Sequence, residues 1–232
     1  MLFKQLFHKE SATYTYLIAC SKTNSAILID PVNTDIDDYV ALLKEHNLTL
    51  KYALDTHVHA DHITASGLLK KTLDCQTAVS ALCGANNPDI HIQDGDVFDL
   101  SEYESIKAIS TPGHTAGSVC FLWRDRVFTG DTLLIGGCGR TDFQGGDAGQ
   151  EYDSITQRLF TLSDDTLVYP GHDYKGHFVS NIAQERLGNP RLANKTKEEF
   201  IEIMDNLNLP YPKLIDIAVP ANRDCGVLVQ SA

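Results

Sequence analysis

The sequence predicts an α/β protein. Three observations carry this. Short strand-type and helix-type patterns alternate along the chain. Two successive strand-rich stretches each have helical segments beside them. The composition is 43% hydrophobic and 22% charged over 232 residues, enough apolar material for a packed core. Two sheets packed face to face with helices outside satisfy this pattern, and so does a three-layer arrangement.

Ala12 to Ala19 and Ser25 to Asp30 read as strands around the polar turn Ser21-Lys22-Thr23-Asn24. Asp35 to His46 reads as an amphipathic helix with Ile36, Val40 and Leu43 on one face. Leu50 to Thr56 reads as a short strand, and His62 to Leu73 as a helix. Strands are expected at Gln76 to Ser80, Val97 to Leu100, Ser105 to Ser110, Ser118 to Trp123, Arg126 to Phe128 and Thr166 to Tyr169. Helices are expected at Tyr152 to Leu162, Asn181 to Arg186 and Lys197 to Asn206. The tail from Leu209 to Ala232 carries three prolines and little periodicity.

The net charge is −12 and the pI about 5.0, which argues against nucleic acid or an anionic membrane as partner. A small anionic substrate stays compatible, because a few local cations override the global field. No apolar stretch approaches the length of a membrane span, and Met1 to Glu10 does not read as a signal peptide. A cytoplasmic location is therefore expected. Six cysteines at irregular spacing, without a CxxC pair, read as reduced and mostly buried rather than as a zinc site.

Chemistry-bearing residues fall where strands end. His57, His59, Asp61 and His62 lie within six residues after a buried strand. His114 stands in Thr111-Pro112-Gly113-His114-Thr115, Asp131 in Phe128-Thr129-Gly130-Asp131-Thr132, and His172 in Tyr169-Pro170-Gly171-His172-Asp173. Each of these three follows a glycine, which lets the backbone turn tightly into a site. Imidazole and carboxylate together suit Zn, Fe, Mn or Co. A lone histidine is usually a surface or core residue; four such punctuated positions point to a metal centre. His8, His46, His91 and His177 lack this setting and read as surface residues, with His177 notable for its closeness to His172. Residue chemistry alone leaves two arrangements open. Two metals would be held by His57, His59 and His114 and by Asp61, His62 and His172, with Asp131 bridging. The other arrangement has one metal.

His-x-His-x-Asp-His, followed by Pro-Gly-His-Thr, Gly-Asp-Thr and Gly-His, resembles the metallo-β-lactamase superfamily from about Ala12 to Asp173. The resemblance implies an αββα sandwich, and a single domain over 1–232 with a short helical extension from about residue 175. Gly130-Asp131-Thr132-Leu133-Leu134-Ile135-Gly136-Gly137-Cys138-Gly139-Arg140-Thr141-Asp142-Phe143-Gln144 is similar, more narrowly, to the persulfide dioxygenase family. So are Tyr169 to Tyr174, Asn189-Pro190-Arg191, Asn206 to Pro210 and Ala218 to Asn222. That resemblance implies one Fe(II) per chain, held by His57, His114 and Asp131, which oxidises glutathione persulfide with O2 to sulfite and glutathione. Two histidines and one carboxylate leave coordination positions open for substrate sulfur and O2. His59, Asp61, His62 and His172 would then orient ligands or waters.

For the glutathione carboxylates, Arg140 is the leading candidate, with its planar fork; the competing reading ties it to Asp142. Tyr174 and Arg191 are further substrate-binding candidates, followed by Arg223. Cys138 reads as a packed loop residue rather than a nucleophile. The rival function is a glyoxalase II-type hydroxyacylglutathione hydrolase with two metals, which shares the histidine motif and the Gly-Cys-Gly-Arg loop. Thr141 to Gln144 and the segment after His172 favour the dioxygenase. A non-catalytic binding module would not require the full ligand set. A homodimer is expected from relatives alone.

Overall fold

The structure is a computed structural model that describes residues 1–227. It contains two six-stranded sheets. The first has the order β1 (Leu2–His8), β2 (Thr13–Cys20), β3 (Ser25–Ile29), β4 (Thr49–Leu54), β5 (Gln76–Ser80), β6 (Ile90–Ile92). The pairs β1/β2 and β2/β3 are antiparallel; from β3 onward the pairs are parallel. The second sheet runs β12 (Ser180–Asn181), β11 (Leu167–Pro170), β10 (Arg126–Gly130), β9 (Val119–Trp123), β8 (Glu104–Ser110), β7 (Val97–Ser101). It is mixed as well, because β10 and β11 pair in parallel. The helices are α1 (Ile36–Glu45), α2 (Ser66–Leu73), α3 (Ala148–Asp153), α4 (Ile182–Gly188), α5 (Lys197–Asp205) and α6 (Ile215–Arg223).

The chain forms two compact units. Met1–Ile92, Val97–Ile106 and the segment from Tyr211 onward make one; Gln93–Asp96 and Lys107–Pro210 make the other. In the first unit the tight hairpin β2–β3 is buried almost throughout, so its strands carry apolar residues at consecutive positions rather than in alternation. Leu17, Ala19, Ala26 and Leu28 meet Tyr39 and Leu43 of α1 and Leu69 of α2 in one core. In the second unit Cys120, Val127 and Val168 of the sheet share a core with Ile155, Leu159, Ile182 and Phe200. A capping box at Thr196 and Glu199 starts α5. No helix among the described residues is long and apolar enough to cross a membrane.

The sequence expectations differ from the structure at several places, the unexpected short strands β6 and β12 among them. Helix α2 begins at Ser66 rather than at His62, so His62 to Ala65 stay in the loop. The expected helix Tyr152–Leu162 starts earlier, at Ala148, and continues as a π-helical turn over Ser154–Leu159, where Phe160 N–H reaches Ile155 O. Strand β1 was not expected; it is a half-buried edge strand and gives no clean alternation. The tail contains α6, which accommodates Pro220 in its interior. The C-terminal end of the expected tail, 228–232, lies outside the described residues.

Candidate metal centre

The first unit presents the His57–His62 loop. Strand β4 ends at Leu54, and the chain then passes Asp55, Thr56 and His57 with little exposure. Two buried carboxylates organise this turn. Asp30 accepts Thr56 N–H at 2.7 Å and Thr56 Oγ1–H at 2.9 Å, and its Oδ1 lies 3.1 Å from His59 Nε2. Asp55 accepts the hydroxyls of Thr64 and Ser66, both at 2.7 Å. These two bonds hold the loop open up to Ser66, which is why the helix starts there.

The network sets the tautomers. Thr56 Oγ1 spends its proton on Asp30, so it accepts from His57 Nδ1 at 3.0 Å and leaves His57 Nε2 with its lone pair. His59 gives its Nε2 proton to Asp30, and its Nδ1 is buried without a hydrogen-bond partner. Burial opposes a charge on His59, but Asp30, Asp61 and Asp55 outweigh it and push the imidazole up to about 9. Burial likewise pushes Asp55 up to about 6, against the pull of His59. His62 Nδ1 lies 2.9 Å from Asp61 Oδ2, and Thr13 Oγ1–H donates to the same oxygen at 3.2 Å. Ligand atoms of His59, Asp61 and His62 lie within 4.8 Å of one another, as do those of Asp30, Asp55 and His59. The second group is accounted for by its hydrogen bonds.

The second unit presents His114, Asp131 and His172. His114 Nδ1–H donates to Arg140 O at 2.7 Å, which leaves Nε2 as the lone-pair nitrogen, 3.6 Å from Asp131 Oδ2. His172 Nε2 lies 3.5 Å from Asp131 Oδ1, an oxygen that is buried and makes no hydrogen bond. Glycines make these approaches feasible. A Cβ on Gly171 would lie 2.7 Å from Asp131 Oδ1, and one on Gly139 would lie 2.7 Å from His114 Nδ1. One on Gly113, whose φ is +150°, would fall 2.3 Å from Glu151 Cα. In the second unit the buried, unsatisfied Asp131 Oδ1 and the Nε2 of His114 are donor types that suit a divalent transition metal, and in the first unit so is the Nε2 of His57.

The expected substrate-binding residues have other engagements. Arg140 forks onto Asp142 with two bonds of 2.6 Å and donates a third to Pro210 O at 2.8 Å, while its guanidinium lies over Phe143. That is the loop-tying role. Arg191 donates to Cys138 O at 2.7 Å and touches Cys138 Sγ and Met204 Sδ. Tyr174 is exposed and stacks on the His172 ring, with centroids 5.9 Å apart. His177 reaches Asp173 at 3.2 Å, so its closeness to His172 in sequence has a structural explanation. Burial, reinforced by Glu151, pushes the Cys138 thiol well up, in keeping with a packed residue.

Sequence reasoning missed Asp30, Asp55 and Glu151. Asp30 and Asp55 each stand directly after a buried strand, and that position was the available signal. Glu151 is fully buried in α3, and neither of its carboxylate oxygens has a hydrogen-bond partner. Burial and then Asp131 push its carboxyl well above the usual range, against Arg191.

The sequence profile of the metallo-β-lactamase superfamily matches residues 8–82 and 84–172. The chain is 48% identical to "Persulfide dioxygenase ETHE1, mitochondrial" of Homo sapiens over 235 residues, which is 100% of this chain and 91% of that protein. It belongs to the persulfide dioxygenase family. The two mixed sheets and their helices are the metallo-β-lactamase fold expected from the histidine motif. The crystal structure of ETHE1 from Myxococcus xanthus matches with a TM-score of 0.95 and 54% identity, covering 98% of this chain and 100% of that one. A protein named hydroxyacylglutathione hydrolase, from Francisella philomiragia, is more distant than either of these relatives: 37% identical over 93% of this chain and 85% of its own length.

Proposed function

We propose that the protein oxidises glutathione persulfide to sulfite and glutathione with O2, using one Fe(II) held by His57, His114 and Asp131. The observation that carries this reading is its likeness, over the full chain, to proteins named persulfide dioxygenase. The local chemistry supports it. His57 and His114 each give one ring proton to an oxygen of their own unit and keep the other nitrogen for a metal. Asp131 offers a carboxylate oxygen that no hydrogen bond occupies.

Bound Fe(II) would supply open coordination positions and electrons for the reaction of a persulfide sulfur with O2. The reaction balances with one water: persulfide and O2 give thiol and sulfite, and protons are released. The chain's own residues fix geometry. Thr56 and the Arg140 carbonyl hold the two imidazoles. His172, beside Asp131 Oδ1, limits how that carboxylate turns. Tyr174, exposed and stacked on His172, would give a phenol hydrogen bond to substrate. Arg140 and Arg191 contribute by holding the 138–142 loop. Among the described residues none of the six cysteines is in a disulfide, which suits a reducing compartment such as the cytoplasm.

One observation favours the dinuclear hydrolase as a second reading: the His59, Asp61 and His62 cluster suits a second metal. The deciding experiment is oxygen uptake by iron-loaded protein given glutathione persulfide. Uptake and sulfite in equal amounts are expected. No uptake, together with rapid S-lactoylglutathione hydrolysis by zinc-loaded protein, would overturn the proposal.

A further inference from the structure

The His59–His62 turn is gripped from outside by one side chain, Asn222 of α6. Its amide is 3% exposed. Nδ2 donates to His59 O at 2.9 Å and to His62 O at 2.8 Å, and Oδ1 accepts Thr64 N–H at 2.9 Å. Both amide protons and the carbonyl oxygen are thus bonded to the backbone of the motif. The two donated bonds bracket Ala60 and Asp61, so they set the spacing of the turn from which His59, Asp61 and His62 project.

The residues around Asn222 hold it against this turn. Gly67 N–H donates to Cys225 O at 2.7 Å, and Asn86 N–H to Arg223 O at 2.7 Å. Gly226, with φ +78°, brings the backbone so close to Thr64 that a Cβ there would lie 2.0 Å from Thr64 O. No other side chain supplies the same set at this length: aspartate has no donors, glutamine is one methylene longer, and serine offers a single proton.

We propose that Asn222 is a positioning residue for the metal-binding histidine motif, fixing the backbone of His59, His62 and Thr64 before any metal arrives. The proposal rests on reading His57–His62 as part of a metal site. It assigns Asn222 no contact with substrate or metal; it acts through the loop.

The test uses the full-length chain. Asn222→Asp keeps the acceptor for Thr64 N–H and removes both donors; Asn222→Ala removes all three bonds. The nitric oxide adduct of the Fe(II)-loaded protein reports the geometry at the metal by electron paramagnetic resonance, without any persulfide. A changed adduct spectrum is expected in both variants, with kcat per bound iron falling about ten- to a hundredfold and KM within about twofold. Lower thermal stability with an unaltered spectrum and unaltered kcat per iron would show a merely structural residue and overturn the proposal. If the variants do not fold, hydrogen exchange on the metal-free wild type decides. The Thr64 amide should be protected well beyond a free peptide; exchange at the peptide rate would overturn it. An inactive wild type with a protected Thr64 and a variant-sensitive spectrum would refute the persulfide reading alone.

Discussion

Asp30 and His59 form a buried pair, Oδ1 to Nε2 at 3.1 Å, with both side chains 2% exposed. The same carboxylate takes the Thr56 amide and hydroxyl, so one acid serves three donors. Asp30→Ala should strand all three. A buried donor without an acceptor costs about 1–3 kcal/mol. Chemical denaturation should therefore show a loss of at least about 3 kcal/mol, with iron content reduced because Thr56 no longer orients His57. A variant with wild-type stability would show that water replaces the carboxylate without cost.

Ligand roles separate by metal analysis. His57→Ala, His114→Ala and Asp131→Ala should each lose iron and oxygen uptake together. His172→Ala should keep most of its iron and lose activity in part, since His172 touches Asp131 rather than replacing it. Equal iron loss in His172→Ala and His57→Ala would make His172 a ligand.

Arg140→Ala should act on the loop. Its three bonds, to Asp142 and Pro210 O, hold the segment whose carbonyl at residue 140 fixes His114. The expected result is lower iron occupancy and melting temperature with KM for persulfide nearly unchanged in the iron-loaded fraction. Arg140→Lys should restore only part, because a point charge cannot reproduce the fork. Full iron with a tenfold higher KM would instead place Arg140 on the substrate.

Glu151 predicts a stabilising change. Its folded pKa lies above the unfolded value, so its favourable contribution is complete below about 4.5 and declines as pH rises toward the folded pKa. At neutral pH and above it weakens the fold. Glu151→Met keeps the volume and removes the unsatisfied acid. Stability should rise by about 1–3 kcal/mol, or roughly 2–4 °C in Tm per kcal/mol, with a larger gain at pH 8 than at pH 5. A gain that does not grow with pH would contradict a buried acid titrating alone.

Gly171→Ala tests the steric fit at the carboxylate. A methyl group 2.7 Å from Asp131 Oδ1 must push that oxygen aside. Iron affinity should fall more than about tenfold with the circular dichroism spectrum unchanged. Retained affinity would mean that the loop yields at little cost.

The superfamily motifs were legible because their signal is local: histidines and an aspartate beside glycines at strand ends. Their supports were not. Asp30 reaches His59 across 29 positions, and the partner of His114 is a main-chain carbonyl, which no residue type announces. The helical reading of His62 to Ala65 failed because Asp55, adjacent in space to Thr64 and Ser66, captures their hydroxyls. α6 escaped notice because Pro220 reads as a breaker, whereas its helix is held by the bonds around Asn222. For Arg140 the sequence left a substrate anchor and a tie to Asp142 side by side, since sequence cannot say which way a fork turns; in the structure it forks onto Asp142.

The close approaches at Gly113, Gly139 and Gly171 also bear on heredity. Glycine is the residue without a β-carbon, so every missense change in these three codons adds one. Each would then press on Glu151, His114 or Asp131. At most surface positions a gene drifts through substitutions that selection ignores; at these three it has no such neutral neighbour. Variant counts in a population should therefore be depleted there as sharply as at the ligands themselves, although none of the three has a side chain with which to react.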